Sequence, residues 1–185
     1  MKNIILTGVP RAGKTTFSKM ILNTFDNYEI INGDKVIENY FKKICDETND
    51  KIVVLDINNG YRKIKDVFSD KILSNPKKNF ILDYMEINEI DILKYIKNDC
   101  LVFIFGYPKS NIDSLIKNTQ KYDNKDDWTY YESINKLRNH FNYYLEKSIH
   151  YEKFCKENNI FFVDVSIDRN KVLNKAIEYL KKINI

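Results

Sequence analysis

Residues Gly8-Val9-Pro10-Arg11-Ala12-Gly13-Lys14-Thr15 spell G-x-x-x-x-G-K-[ST] and follow directly on the apolar run Ile4-Ile5-Leu6. A polyphosphate carries dense negative charge, and only a loop free of side-chain bulk can aim several backbone N–H groups at it; Gly8 and Gly13 supply that freedom. In such a loop Lys14 reaches the β- and γ-phosphates as a point charge and the Thr15 hydroxyl holds Mg²⁺. The stretch Thr16–Phe25 reads as a helix whose positive N-terminal dipole faces the same anion. Gly8, Val9, Pro10, Arg11, Ala12, Gly13, Lys14, Thr15 and Thr16 are therefore the candidate phosphate- and nucleotide-binding residues. The competing reading, an ordinary glycine-bearing strand-to-helix turn, does not account for Lys14 and Thr15 standing at these positions.

Two acidic residues follow strand-like runs. Asp34, in Ile30-Ile31-Asn32-Gly33-Asp34, can accept a proton from an acceptor hydroxyl or position it, or it can cap the helix beginning at Lys35; the roles are compatible. Asp83 ends Phe80-Ile81-Leu82-Asp83, a pattern in which an apolar strand delivers one carboxylate to Mg²⁺, with helix capping again the alternative. The only arginines are Arg11, Arg62, Arg138 and Arg169. The planar guanidinium suits phosphate, so Arg62 and Arg138 are candidate catalytic arginines or else members of solvated faces, and Arg169 reads as a surface residue.

Asn118–Trp128 is polar and flanked by helical patterns, which suggests a lid over bound nucleotide or a plain surface loop. Lys117, Lys121 and Lys125 could meet phosphates on closure. Asn124-Lys125-Asp126-Asp127 matches the N-K-x-D of guanine-reading proteins, but that motif should end a buried strand, and Gln120–Asn124 is polar. His140 and His150 are too far apart in sequence to suggest a paired ligand site. The aromatic series from Tyr130 to Phe154 reads as packing.

The elements that would position these residues alternate between apolar runs and amphipathic stretches, the pattern of a parallel sheet with helical crossovers. Strands are expected at Ile4–Thr7, Tyr28–Ile31, Phe80–Asp83, Leu101–Phe105 and Ile160–Val163. Helices are expected at Lys35–Cys45, Tyr61–Leu73, Ile87–Ile96, Ser110–Asn118, Thr129–Asn158 with a break near Ser148, and Arg169–Lys182. Lys51–Leu55 fits strand or buried helix equally. Gly33 and Gly106 fall just past strand ends, where an open parallel sheet builds its ligand crevice. The 185 residues suit one domain, 1–185, with a lid insertion at 118–128.

A net charge of +4 from 30 basic and 26 acidic residues, interleaved along the chain, fits a small polyanionic ligand and argues against nucleic acid as a partner. Cys45, Cys100 and Cys155 lack any metal-ligand spacing and read as reduced thiols in a cytoplasmic protein. No apolar run approaches the ~18 residues of a membrane span.

With these residues in place, the chain resembles the P-loop kinases of the nucleoside monophosphate kinase type, which include adenylate kinase and the related shikimate and gluconate kinases. The resemblance runs through Gly8–Thr15, the turn Gly33-Asp34, Asp83, the polar segment Asn118–Trp128 and the last strand. It implies a three-layer α/β/α fold, a five-stranded parallel sheet in the order 2-3-1-4-5, and Mg-ATP as donor. Two departures bear on the acceptor. Adenylate kinases carry an arginine three residues after the aspartate of the second-strand turn, where this chain has Ile37. They follow the third-strand aspartate with Gly-Phe-Pro-Arg, where this chain has Tyr84-Met85-Glu86-Ile87. The arginines that would grip an acceptor phosphate are missing from both places.

The expected activity is transfer of the γ-phosphate of Mg-ATP to a small-molecule or nucleoside hydroxyl, with Lys14, Asp34, Arg62 and Arg138 as catalytic candidates and Thr15 and Asp83 on the metal. The rivals are a nucleotide kinase with unusual acceptor contacts and a nucleotide-binding regulator or weak ATPase.

Overall fold

The computed structural model describes residues 2–48, 57–85, 87–125 and 127–183. Lys51–Leu55, which the sequence leaves between strand and helix, lies outside them. Five strands, β1 (Ile4–Gly8), β2 (Tyr28–Asn32), β3 (Asn79–Asp83), β4 (Leu101–Gly106) and β5 (Phe161–Asp164), form one sheet in the order β2-β3-β1-β4-β5. The chain divides into two compact units.

The first unit comprises Met1–Thr7, Lys14–Val102 and Leu180–Ile185. Here β3 lies parallel to both neighbours, with Ile4 opposite Ile81 and Ile31 opposite Leu82. Near-continuous apolar runs suit strands covered on both sides, and Ile4, Ile5, Leu6, Ile81 and Leu82 are fully buried. Helix α1 (Lys14–Thr24) covers them with Phe17 and Ile21, and α3 (Ile57–Ser74) with Ile64 and Phe68; in each pair the residues stand four apart on one helical face. Each such side chain contributes roughly 1.5–3 kcal/mol by leaving water. Helix α2 (Gly33–Thr48) starts two residues earlier than its periodicity suggests. The Asn32 side chain accepts the Lys35 N–H at 3.0 Å and so occupies the capping role that the sequence also allowed Asp34. Helix α4 (Glu89–Lys97) opens on a second asparagine cap, Asn88.

The second unit comprises Gly8–Gly13 and Phe103–Tyr179. Strands β4 and β5 run parallel, Phe103 opposite Phe161 and Gly106 opposite Asp164. Helix α5 (Ile112–Tyr122) continues one turn past its expected end, so Asn118–Tyr122 is helical and the irregular segment begins at Asp123. Helix α6 (Ile134–Asn158) runs unbroken through Ser148. That serine is fully buried, but its hydroxyl donates to the Tyr144 carbonyl at 2.7 Å and accepts the Tyr107 N–H at 3.1 Å, so it leaves no backbone group that would force a break. Of the aromatic series, Phe141, Tyr151 and Phe154 are core, whereas Tyr130, Tyr131 and Tyr143 are exposed. Helix α7 (Arg169–Lys182) buries Leu173 and Ala176. Among the described residues no helix is long and apolar enough to cross a membrane.

Candidate active site

The loop between β1 and α1 contains the bends its glycines foretell. Gly8 has φ 118° and Gly13 φ 91°, conformations that L side chains rarely adopt. A Cβ on Gly8 would stand 2.1 Å from the Phe105 carbonyl oxygen, the same oxygen that accepts the Val9 N–H at 3.0 Å. Strand β4 thus closes against the start of the loop, and only a bare Cα fits. Gly8→Ala is expected to lower stability by about 2 kcal/mol or more, read as a drop in the denaturation midpoint, because backbone rather than a movable side chain blocks the added methyl. Gly33 and Gly106 serve packing, with their faces filled by the Tyr84 and Phe162 rings.

In the first unit the loop runs into Lys14, buried to 8% exposure, and Thr15. The Thr15 hydroxyl donates to Asp83 Oδ2 at 2.9 Å. Asp83 is 5% exposed, and burial holds its carboxyl above the usual range; Lys14 and the Thr15 hydroxyl pull it back, and Asp34 pushes it up further. Asp34, the second residue of α2, is solvent-exposed, yet desolvation by the protein around its carboxyl raises it as well, with Lys14 opposing. Lys14 thus favours the charged form of both carboxyls. The Thr15 and Asp83 oxygens form a small, hard donor pair. That pair fits Mg²⁺, which retains waters and takes substrate phosphate oxygens rather than filling a protein cage.

The places where an acceptor phosphate would find arginine are apolar: Ile37 fills the face of Gly60, and Ile87 is 1% exposed. Arg62 is exposed on α3.

The second unit contains a cavity of about 320 Å³ lined by loop residue Arg11, by Tyr107, Asn111 and Asn118 after β4, and by Ser166 and Arg169 after β5. Tyr107 is 2% exposed, and its hydroxyl has no hydrogen-bond partner among the described residues, so a polar ligand atom would satisfy it. The Arg11 guanidinium pairs with Asp123 and, at 3.1 Å, with Asp127. Arg138 pairs with Asp113 at 2.7 Å on an exposed part of α6.

No protein-family model matches the sequence, and no curated protein matches it. Its structure, however, is similar over nearly its full length to solved kinases. Shikimate kinase from Acinetobacter baumannii, solved in complex with shikimate, superposes with a TM-score of 0.60 at 15% identity, covering 100% of this chain and 96% of that one. Shikimate kinase from Bacteroides thetaiotaomicron gives 0.59 at 14%, covering 97% and 98%. A gluconokinase from Sinorhizobium meliloti gives 0.59 at 14%, covering 98% and 93%. The fold is that of the P-loop kinases.

Within that P-loop kinase fold the first unit brings together four of the residues singled out in the sequence: Lys14, Thr15, Asp34 and Asp83. Arg62 is solvent-exposed in the first unit, and Arg138, in the second, is paired with Asp113. The cavity residues Tyr107, Asn111 and Ser166 were missed. The signal was present in the rule that ligands bind outside the carboxyl ends of parallel strands, since all three lie just beyond β4 or β5. Arg169, read as a surface residue, is exposed but lays its side chain against Gly13, with Cδ 3.3 Å from where a Cβ would be.

Proposed function

We propose that this chain is an ATP-dependent phosphotransferase that moves the γ-phosphoryl group of Mg-ATP to a hydroxyl on a small molecule or nucleoside. The observation that carries this reading is the buried Lys14 of the phosphate loop beside Thr15, whose hydroxyl is bonded to Asp83. The 320 Å³ cavity has the size and the mixed polar lining of a nucleoside site, and the Tyr107 hydroxyl offers it one unsatisfied polar group. The loop amides and Lys14 stabilise charge on the transferring group. Thr15 and Asp83 would hold Mg²⁺, which when bound neutralises phosphate charge. Asp34 orients the acceptor and takes its proton. Positioning and electrostatics do most of the work in this reaction class.

Isoleucine at both arginine places, Ile37 and Ile87, favours a hydroxyl acceptor over a nucleoside monophosphate. An ATP requirement and cysteines that form no disulfide among the described residues suit a cytoplasmic site of action. The test is ADP release from Mg-ATP in the presence of nucleosides, nucleotides, sugars, hydroxy acids and short oligonucleotides. Acceleration by one hydroxyl compound with equimolar product is expected. Acceleration by monophosphates alone would select the nucleotide kinase reading, and ATP binding with no acceptor stimulation would select the regulator.

A further inference from the structure

Arginine inside a phosphate loop invites the reading that its guanidinium touches phosphate. In this chain the Arg11 guanidinium is already engaged. It forms ion pairs with Asp123, whose side chain is 2% exposed, and with Asp127 at 3.1 Å. Both acids belong to the irregular segment Asp123–Ser133 between α5 and α6, and both are themselves held. Thr129 donates its hydroxyl to Asp123, and the Asn124 N–H reaches Asp127 Oδ2 at 2.9 Å. Asp123 also ends α5, its N–H bonded to the Thr119 carbonyl at 2.9 Å. The backbone of Arg11 has φ 63°, a left-handed conformation that a non-glycine residue holds only when its surroundings impose it.

We propose that Asp123 is a positioning residue for nucleotide binding: through Arg11 it fixes the left-handed turn of the phosphate loop, so that the loop amides are aimed before the nucleotide arrives. The proposal rests on the reading of Gly8–Thr15 as a nucleotide site. Its physical basis is preorganisation. A loop that must find its turn on binding loses the corresponding ordering free energy from affinity, whereas a loop already held does not. A forked guanidinium between two anchored carboxylates is a geometry that lysine cannot reproduce.

Two competing effects give the opposite sign, which makes the proposal decidable. If Arg11 were a phosphate ligand restrained by its acids, removing Asp123 would release it and tighten ATP binding. Removing a negative charge near the loop would also favour an anion, but through partly solvated surroundings that gain is about twofold in affinity.

The experiment measures ATP and adenosine affinity by calorimetry for the wild type, Asp123→Asn, Arg11→Lys and the double variant. Asp123→Asn is expected to weaken ATP about tenfold, the loss of one charge-assisted contact. Adenosine, which lacks the phosphates, should bind as before, a result that general damage to the fold would not give. Arg11→Lys should weaken ATP similarly, and the double variant should lose no more than the worse single one. Trp128 sits in the same segment, edge-on to His140 at 5.2 Å, and its emission should shift in ligand-free Asp123→Asn as the segment loosens.

Unchanged or tighter ATP binding in Asp123→Asn overturns the proposal, as does an equal loss for adenosine. If Asp123→Asn fails to fold, the half-exposed Asp127→Asn must give a smaller loss of the same sign, and no loss there overturns it. A wild-type protein that binds neither ATP nor adenosine would overturn the nucleotide reading itself, whereas normal wild-type binding with an indifferent Asp123→Asn overturns this inference alone.

Discussion

Lys14→Ala should reduce phosphoryl transfer by about 10²–10³-fold or more, the scale on which enzymes lose rate when one fixed electrostatic contact to the transition state is removed. In the proposed reaction the lysine would balance charge on the migrating phosphoryl from a site with 8% exposure, where the local dielectric makes the interaction count. The sequence suggests that the change should be silent for folding because lysine does not belong to an apolar core. The structure qualifies that expectation. Lys14 draws the carboxyls of exposed Asp34 and buried Asp83 down, so without it both should bind their protons more tightly and the folded state should lose an internal compensation. Single-turnover rates and thermal unfolding should therefore be measured on the same preparation. Lys14→Arg keeps the charge but carries a larger, planar head into a loop built for a point charge, and should not restore the rate. A Lys14→Ala protein that turns over at the wild-type rate would remove the loop from the chemistry.

What the sequence disclosed, and what it withheld, follows from how local each determinant is. The loop was legible because its requirement is local: two glycines with positive φ, a lysine and a hydroxyl at fixed spacing. The strands were legible because burial on both sides leaves an unbroken apolar run, as in Phe80-Ile81-Leu82. Asp34 and Asp83 stand out in the sequence by their places at strand ends, but the pull of Lys14 on both carboxyls arises from tertiary placement that no local pattern shows. The end of α5 was missed because Asn118–Tyr122 is too polar for an apolar stripe to mark its last turn; Asp123, whose N–H closes that turn on Thr119, shows where it ends. The partners of Arg11 lie more than 110 residues away in sequence, and no local pattern links them. For the same reason Tyr107 gave no sign that its hydroxyl would be buried without a partner.

Asp34→Asn separates the acceptor classes. A hydroxyl must lose its proton as the new P–O bond forms, whereas an acceptor phosphate is already an anion and needs placement more than a base. With a hydroxyl acceptor the substitution should cut the rate by ~10²-fold or more while leaving ATP affinity nearly unchanged, since the amide keeps the shape and loses the basic lone pair. With a phosphate acceptor the loss should be much smaller. The pH profile supplies a second, independent reading. Enclosure raises the Asp34 carboxyl above the ordinary carboxylate range, so the base is lost to protonation at a higher pH than an exposed aspartate would be. The acid limb of kcat/KM should accordingly fall at a higher pH than an unperturbed aspartate would give, and it should flatten in Asp34→Asn, which has nothing left there to titrate. Asp83 is also raised by burial and could add a limb of its own, so the limb that vanishes in Asp34→Asn is the one that belongs to the base. An Asp34→Asn enzyme that phosphorylates a hydroxyl acceptor at the wild-type rate, with the acid limb intact, would transfer the role of base to another group and leave Asp34 as a solvent-facing residue of α2.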